Sequence, residues 1–320
     1  MSLRYWVEAA GLRAGQRLVQ NLPFDFIRPL ARLLGNVVCL ADARGRKVAM
    51  ANLAAAFPGK YTPAEMRRIA RLSYGTFART MLELFWAPNW SREFFESEFE
   101  FEGLENGPHV TDPGRGGIYA CFHFSNFESL SLISPYCIVA GPVIAQRFRN
   151  PLIGPVFDRL RASTGMQAIP QERALVRMLK LLQGGGRFGM LTDLNIDPRE
   201  GSVVISAFGG LLTSVTPAHV ALAQRTNSLV VPLECRPLPG GRYKVIYHPP
   251  IECPKDADPL PLVQRSWDVL EKSIHEMPEC WLWAYKHWRF RPSGGDTSRY
   301  PFYANHAKRF DRAVVACHPN

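Results

Sequence analysis

None of the seven cysteines, at 39, 121, 137, 235, 253, 280 and 317, belongs to a C-x-x-C pair or shares zinc-ligand spacing with a histidine. A scattered, odd set of this kind fits a reducing compartment, and several of its members, Cys121 among them, lie in apolar runs where a free thiol behaves as a small buried hydrophobe. No H-E-x-x-H pattern or other ligand cluster is present, so neither a metal nor a cofactor is expected. Long hydrophobic runs are missing too. Between Leu22 and Ala41 the chain is apolar, but Pro23, Asp25, Arg28, Pro29 and Arg32 interrupt it, and a spanning helix needs about 20 apolar residues. Arg4, Glu8, Arg13 and Arg17 break up the start in the same way, which excludes a signal peptide and makes export unexpected. Acidic residues are in deficit, 28 against 38 Lys and Arg, for a formal charge of +10. That surplus suits an anionic partner, whether nucleic acid, anionic lipid or an acidic carrier protein. With no nucleic-acid recognition motif in the sequence, DNA and RNA are not expected partners.

What is present is a folded chain, 47% hydrophobic over 320 residues and without an internal repeat or a low-complexity tract. Its first part reads as helical. Leu3, Trp6, Val7 and Ala10 share one side of a helix with Arg4, Arg13 and Arg17 around it, a pattern that suits either a membrane interface or docking on the protein's own core. Thr62-Pro63-Ala64-Glu65 supplies an N-cap, an N1 proline and an N3 glutamate in capping-box order, and an apolar stripe from Met66 to Leu84 follows until Pro88. Strand and helix signals alternate after residue 96. Strands are expected at Gly117–Phe122, Phe188–Thr192, Val203–Phe208, Leu229–Leu233 and Tyr243–Tyr247, and helices at Phe127–Leu132, Gln171–Gln183, Pro217–Gln224 and Leu260–His275. The order implies an α/β fold with a mixed, mainly buried sheet covered by helices. Its expected organisation is a helical, membrane-facing segment over 1–96, an α/β domain over 97–292 and a C-terminal tail over 293–320.

The chemistry concentrates where the first of these strands ends, at His123-Phe124-Ser125-Asn126-Phe127-Glu128. Open α/β sheets place ligands in crevices outside the carboxyl ends of their strands. On one continuous helix, His123 and Glu128 would be rotated apart, so a working pair needs His123 in the turn and Glu128 in the first helical turn. Ser125 or Asn126 suits the N-cap between them. The carboxylate would then accept a proton from one imidazole nitrogen and leave the other basic, able to take a proton from an attacking alcohol. Cys121 and Ser125 are close enough in sequence to be candidate nucleophiles. The same H-x4-E spacing also describes a buried structural histidine satisfied by a neighbour.

Several blocks, in order, resemble the bacterial late lipid A acyltransferases, the lauroyl and myristoyl transferases of lipopolysaccharide assembly. Ala51-Asn52-Leu53 with Ala56-Phe57-Pro58, then Ser73-Tyr74 through Thr80-Met81-Leu82-Glu83, is similar to that family's N-terminal signature, and His123 to Glu128 to its H-x4-D/E catalytic motif. Arg147 with Asn150-Pro151, Asp193 to Gly209, and Pro278-Glu279 through Arg291-Pro292 continue the resemblance to about residue 292. It implies a glycerolipid-acyltransferase-like fold and a peripheral or monotopic enzyme on the cytoplasmic face of the bacterial inner membrane. The donor would be acyl-acyl carrier protein or acyl-CoA, and the acceptor a lipid A precursor or another glycolipid such as a phosphatidylinositol mannoside. Catalysis would fall to His123 and Glu128. The candidate substrate contacts are Asn126, Arg147, Arg149, Asp193, Arg199, Thr213 and Ser214, with Asp193 also able to orient a site residue and Thr213-Ser214 expected to open the helix after Pro217. The sequence departs from the family pattern at Asn195, where an acidic residue is common, at Tyr285-Lys286-His287, which replaces a His-Arg-Arg run, and in a less apolar N-terminus. Two other classes remain open at this point: a lipid-binding or assembly protein of the same fold without turnover, and a thioester or lipid hydrolase.

Overall fold

The computed structural model describes residues 2–136, 143–144, 149–166, 168–169, 174–294 and 296–318. Five helices lead: α1 (Leu3–Gln20), α2 (Ile27–Ala41), α3 (Ala43–Ala56), α4 (Pro63–Trp86) and α5 (Arg92–Glu98). Then follow β1 (Phe99–Glu102), α6 (Pro108–Thr111), β2 (Gly117–Cys121), α7 (Phe127–Leu132), β3 (Val143–Ile144), α8 (Gly154–Ala162), β4 (Ala168–Ile169), α9 (Ala174–Gln183) and β5 (Arg187–Leu191). The remainder is β6 (Val203–Ala207), β7 (Leu211–Val215), α10 (Ala218–Thr226), β8 (Leu229–Pro237), β9 (Tyr243–Tyr247), α11 (Pro259–Glu276), β10 (Phe290–Arg291), β11 (Asn305–His306) and α12 (Lys308–Cys317). The expected α/β class and the helical beginning are both found.

The main sheet runs β1-β9-β8-β2-β5-β3-β4 and is parallel at every junction except β8–β9. β2 lies at its centre and is buried along its whole length, which explains its uninterrupted apolar sequence. Ile118 and Ala120 face a core shared with Leu182, Val220 and Leu270, while Tyr119 and Cys121 face a second core with Leu84, Leu132 and Leu160. The sheet is thus sandwiched between α9–α11 on one side and α4, α7 and α8 on the other. β6 and β7 form a separate antiparallel hairpin. The expected C-terminal tail contains α12, whose Phe310 is fully buried against Val204 and Phe290 rather than lying in solvent.

α4 starts at the capping box read from the sequence, with Glu65 N–H donating to Thr62 Oγ1 and Thr62 N–H to Glu65 Oε2. α2 lies along it through a seam of residues four apart, Ile27, Ala31, Gly35 and Cys39. A Cβ on Gly35 would stand 2.5 Å from Gly75 Cα, so the two backbones meet where neither residue has a side chain. Gly35→Ala is therefore expected to lose about 1–3 kcal/mol of stability by overpacking, measurable by urea unfolding; an unchanged midpoint would show that the helices part freely. Because it buries only this one stripe, α2 leaves Leu33, Leu34, Val37, Val38 and Leu40 exposed, and α1 leaves Leu3, Trp6 and Val7 exposed. The apolar side of α1 therefore does not dock on the protein's own core. Among the described residues no helix is long and apolar enough to cross a membrane.

Candidate active site

The site follows from strand register. Cys121 of β2 is paired with Leu191 of β5, so the residues two positions further on, His123 and Asp193, leave neighbouring parallel strands side by side. His123 Nδ1–H donates to Asp193 Oδ1 at 2.8 Å, and the backbone N–H of His123 donates to Asp193 Oδ2 at 3.1 Å. Trp281 Nε1–H adds a third donor to Oδ2, also at 3.1 Å. Asp193 is fully buried. Burial alone would raise its pKa, but the charge and hydrogen bond of His123 and the indole N–H outweigh that and hold the carboxyl below its usual range.

The carboxylate on the imidazole is therefore Asp193 and not Glu128, which corrects the local pairing expected from H-x4-E. Glu128 instead accepts two bonds from Arg161 on α8, at 2.6 and 2.9 Å, and both side chains are largely buried. For Arg161, burial acts to lower the pKa, and the bonds and charge of Glu128 more than offset it. The turn between the strand and α7 explains the divergence. Ser125 has a left-handed φ of 51°, its N–H donates to Cys280 O at 2.7 Å and its carbonyl accepts from Thr80 Oγ1, so the chain swings Glu128 onto the α8 side.

Asn126 is the N-cap of α7, as its residue type suggested, with Oδ1 accepting from Ser129 N–H at 3.3 Å. Its amide nitrogen donates to the buried Glu83 at 2.5 Å, and Glu83 is paired with Arg79. Its oxygen thus caps α7 and its amide nitrogen ties α7 to α4, and the side chain is buried and does not line the depression beside His123.

Among the described residues His123 Nε2 has no hydrogen-bond partner, and the ring lines a small open depression with Thr76, Phe77, Ser125, Phe127 and Trp281. A second depression of about 230 Å³, lined by Arg68, Ile69, Leu72 and Pro278 among others, lies further along the same α4 ridge. Phe77 and Leu72 are exposed at these openings, so apolar side chains line the approach to the imidazole, with the charged Glu65, Arg68 and Glu279 beside Leu72.

The other expected contacts are not gathered here. Arg149 is exposed and Arg199 is paired with Asp197 at 3.1 Å; neither lines the His123 depression. Arg147 lies outside the described residues. Thr213 and Ser214 do not open a helix: they are buried in β7, where Thr213 Oγ1 donates to His287 O and accepts from Asn195, and Ser214 Oγ donates to Ile196 O. α10 begins later, at Ala218. Arg161 and Trp281 were not anticipated, since no local motif marks a residue whose partner comes from another strand end or helix.

The two candidate nucleophiles fare differently. Cys121 is buried and its thiol is pushed up to about 12 by burial and the nearby Asp193 charge, so it holds its proton at neutral pH. Ser125 lines the depression but sits in a strained backbone region. If its role is conformational, Ser125→Gly retains turnover while Ser125→Val loses about 1–3 kcal/mol of stability; loss of turnover in the glycine variant would instead mark the hydroxyl as chemical.

An imidazole held by a carboxylate at the carboxyl end of a central parallel strand is an arrangement that general-base chemistry on a hydroxyl or water requires. The family model for bacterial lipid A biosynthesis acyltransferase matches residues 1–290, and the chain belongs to that family and is an acyltransferase. It is similar to the lipid A biosynthesis lauroyltransferase of Escherichia coli strain K12, 26% identical over 300 residues that cover 91% of this chain and 94% of the relative. It is also similar to the palmitoleoyltransferase of lipid A biosynthesis from the same strain and to a lipid A biosynthesis acyltransferase of Shigella flexneri. Each is 23% identical over 297 residues, 91% of this chain and 94% of the relative.

Proposed function

We propose that this protein moves a fatty acyl group from a thioester, carried by acyl carrier protein or coenzyme A, to a hydroxyl of a lipid A precursor, with His123 as general base oriented by Asp193. The observation that carries the reading is the 2.8 Å bond from His123 Nδ1 to Asp193, which leaves Nε2 at an opening with an apolar approach. The names of the relatives support the acceptor.

In the reaction, Nε2 takes the hydroxyl proton as the acceptor oxygen bonds to the thioester carbon. Asp193 stabilises the imidazolium so formed. When the C–S bond breaks, the departing thiolate recovers that proton, so no covalent enzyme intermediate is required. Glu128 and Arg161 hold α7 to α8 and thereby fix the turn that carries His123.

The exposed apolar faces of α1 and α2, beside exposed Arg13, Arg17 and Arg32, suit peripheral attachment to an anionic membrane, on the cytoplasmic face of the bacterial inner membrane in this reading. The excess of basic residues also favours an acidic carrier protein or a phosphorylated lipid.

The test is mass spectrometry of membrane lipids from cells with and without the protein, joined to an assay of the purified enzyme on thioester and acceptor. A lipid gaining one acyl chain, lost in a folded His123→Ala variant, is the expected result. Free fatty acid with no acylated lipid would point to hydrolysis, and full acylation by His123→Ala would remove the proposed base.

A further inference from the structure

Asp193 receives three donors, and the mechanism above uses one of them for the base. We infer that Trp281 is a positioning residue that sets the strength of the base: its indole N–H fixes Oδ2 of Asp193 and draws off part of the carboxylate charge, leaving Oδ1 for His123. This rests on the reading that the His123–Asp193 pair is catalytic.

The indole is held too firmly for the contact to be incidental. Trp281 is 1% exposed and stacks on the His287 ring at 3.7 Å with an interplanar angle of 20°, while Trp283 meets it edge-on at 4.9 Å. Its backbone bridges to Phe124, one residue after the base, and the preceding carbonyl, Cys280 O, accepts from Ser125 N–H. The same short segment therefore fixes both the turn that carries the imidazole and the carboxylate behind it.

His287 supplies a neutral plate. Burial pushes it down to about 4, and its Nε2–H donates to Leu282 O at 2.9 Å. Among the described residues, the other titratable groups facing Asp193 and His123 are also uncharged at neutral pH. Cys121 and Cys280 are pushed up to about 12 and Tyr285 is raised, each chiefly by burial. α4 and α7 present Ser73, Thr76, Phe77 and Phe127 to the ring, none of which titrates there. A change in the pH dependence of the pair then reports on the Trp281 bond.

Trp281→Phe keeps an aromatic plate on His287 and removes the donor. Asp193 is left with more concentrated charge, binds the imidazolium more strongly and lets the pair take up its proton at higher pH. The acid limb of the kcat/KM profile is expected to move up by about half to one pH unit, and kcat to fall about 10-fold at unchanged KM for both substrates because the carboxylate loses a bond that holds it, and the imidazole behind it, in line.

A second measurement does not depend on turnover. In the ¹H–¹⁵N spectrum of the intact protein, the indole resonance that disappears in Trp281→Phe should shift in Asp193→Asn. An unmoved acid limb, or an indole signal indifferent to Asp193→Asn, would overturn the inference. Were His123→Ala to retain turnover, the catalytic reading itself would fail, which is a separate result.

Discussion

Asp193→Asn is expected to lower kcat by about 10²–10⁴-fold while the protein remains folded, because the amide reverses the tautomer of the base. Oδ2 accepts from two groups that can only donate, the backbone N–H of His123 and the indole N–H of Trp281. The oxygen of an asparagine must therefore take that side, and its NH₂ must face His123 Nδ1. Nδ1 can meet it only as an acceptor, which moves the ring proton to Nε2, the atom that should receive the acceptor's proton. Turnover of a thioester at saturating acceptor checks this, with circular dichroism to establish folding. A variant at wild-type rates would mean that the bond to Asp193 has no part in the chemistry.

Glu128→Ala is expected to act through stability first. Its partner Arg161 is 12% exposed and Glu128 itself 9%, so removing the carboxylate leaves a guanidinium buried without its counter-charge. Breaking such a pair from one side costs about 3–5 kcal/mol. Urea unfolding at neutral pH measures it, and a loss below 1 kcal/mol would show that Arg161 escapes to solvent. Turnover falls as well, because α7 loses its tie to α8 and the His123 turn loosens. Under the pairing read from the sequence, Glu128→Ala would instead match Asp193→Asn in turnover and leave stability nearly unchanged.

The contrast shows which parts of the site were legible. Several local features could be read: the Thr62–Glu65 capping box, the apolar run of β2, and Asn126 as the cap of a short helix after a turn. His123 stood out for the same reason, as a histidine at the end of a buried strand. Asp193 was legible as a residue able to orient the site, but its pairing with His123 was not, because the two are 70 residues apart and only the Cys121–Leu191 register brings the strand ends together. Glu128 was nearer in sequence and chemically suitable, but the left-handed backbone at Ser125, an uncommon state for a serine, turns it elsewhere. Thr213 and Ser214 were misread because β7 is five residues long and ends just before the turn into α10, so its hydroxyls resembled helix caps. α12 escaped notice because a short amphipathic helix at the chain's end, with Phe310 as its one fully buried anchor, differs little from a polar tail in composition.

The central claim is that His123 and Asp193 act as one unit in proton transfer. The most direct test is the turnover of His123→Ala, Asp193→Asn and the double variant on the same thioester and lipid acceptor. If one unit is being removed, the double variant is no slower than His123→Ala alone. Losses that multiply, or an Asp193→Asn enzyme as fast as wild type, would contradict the account.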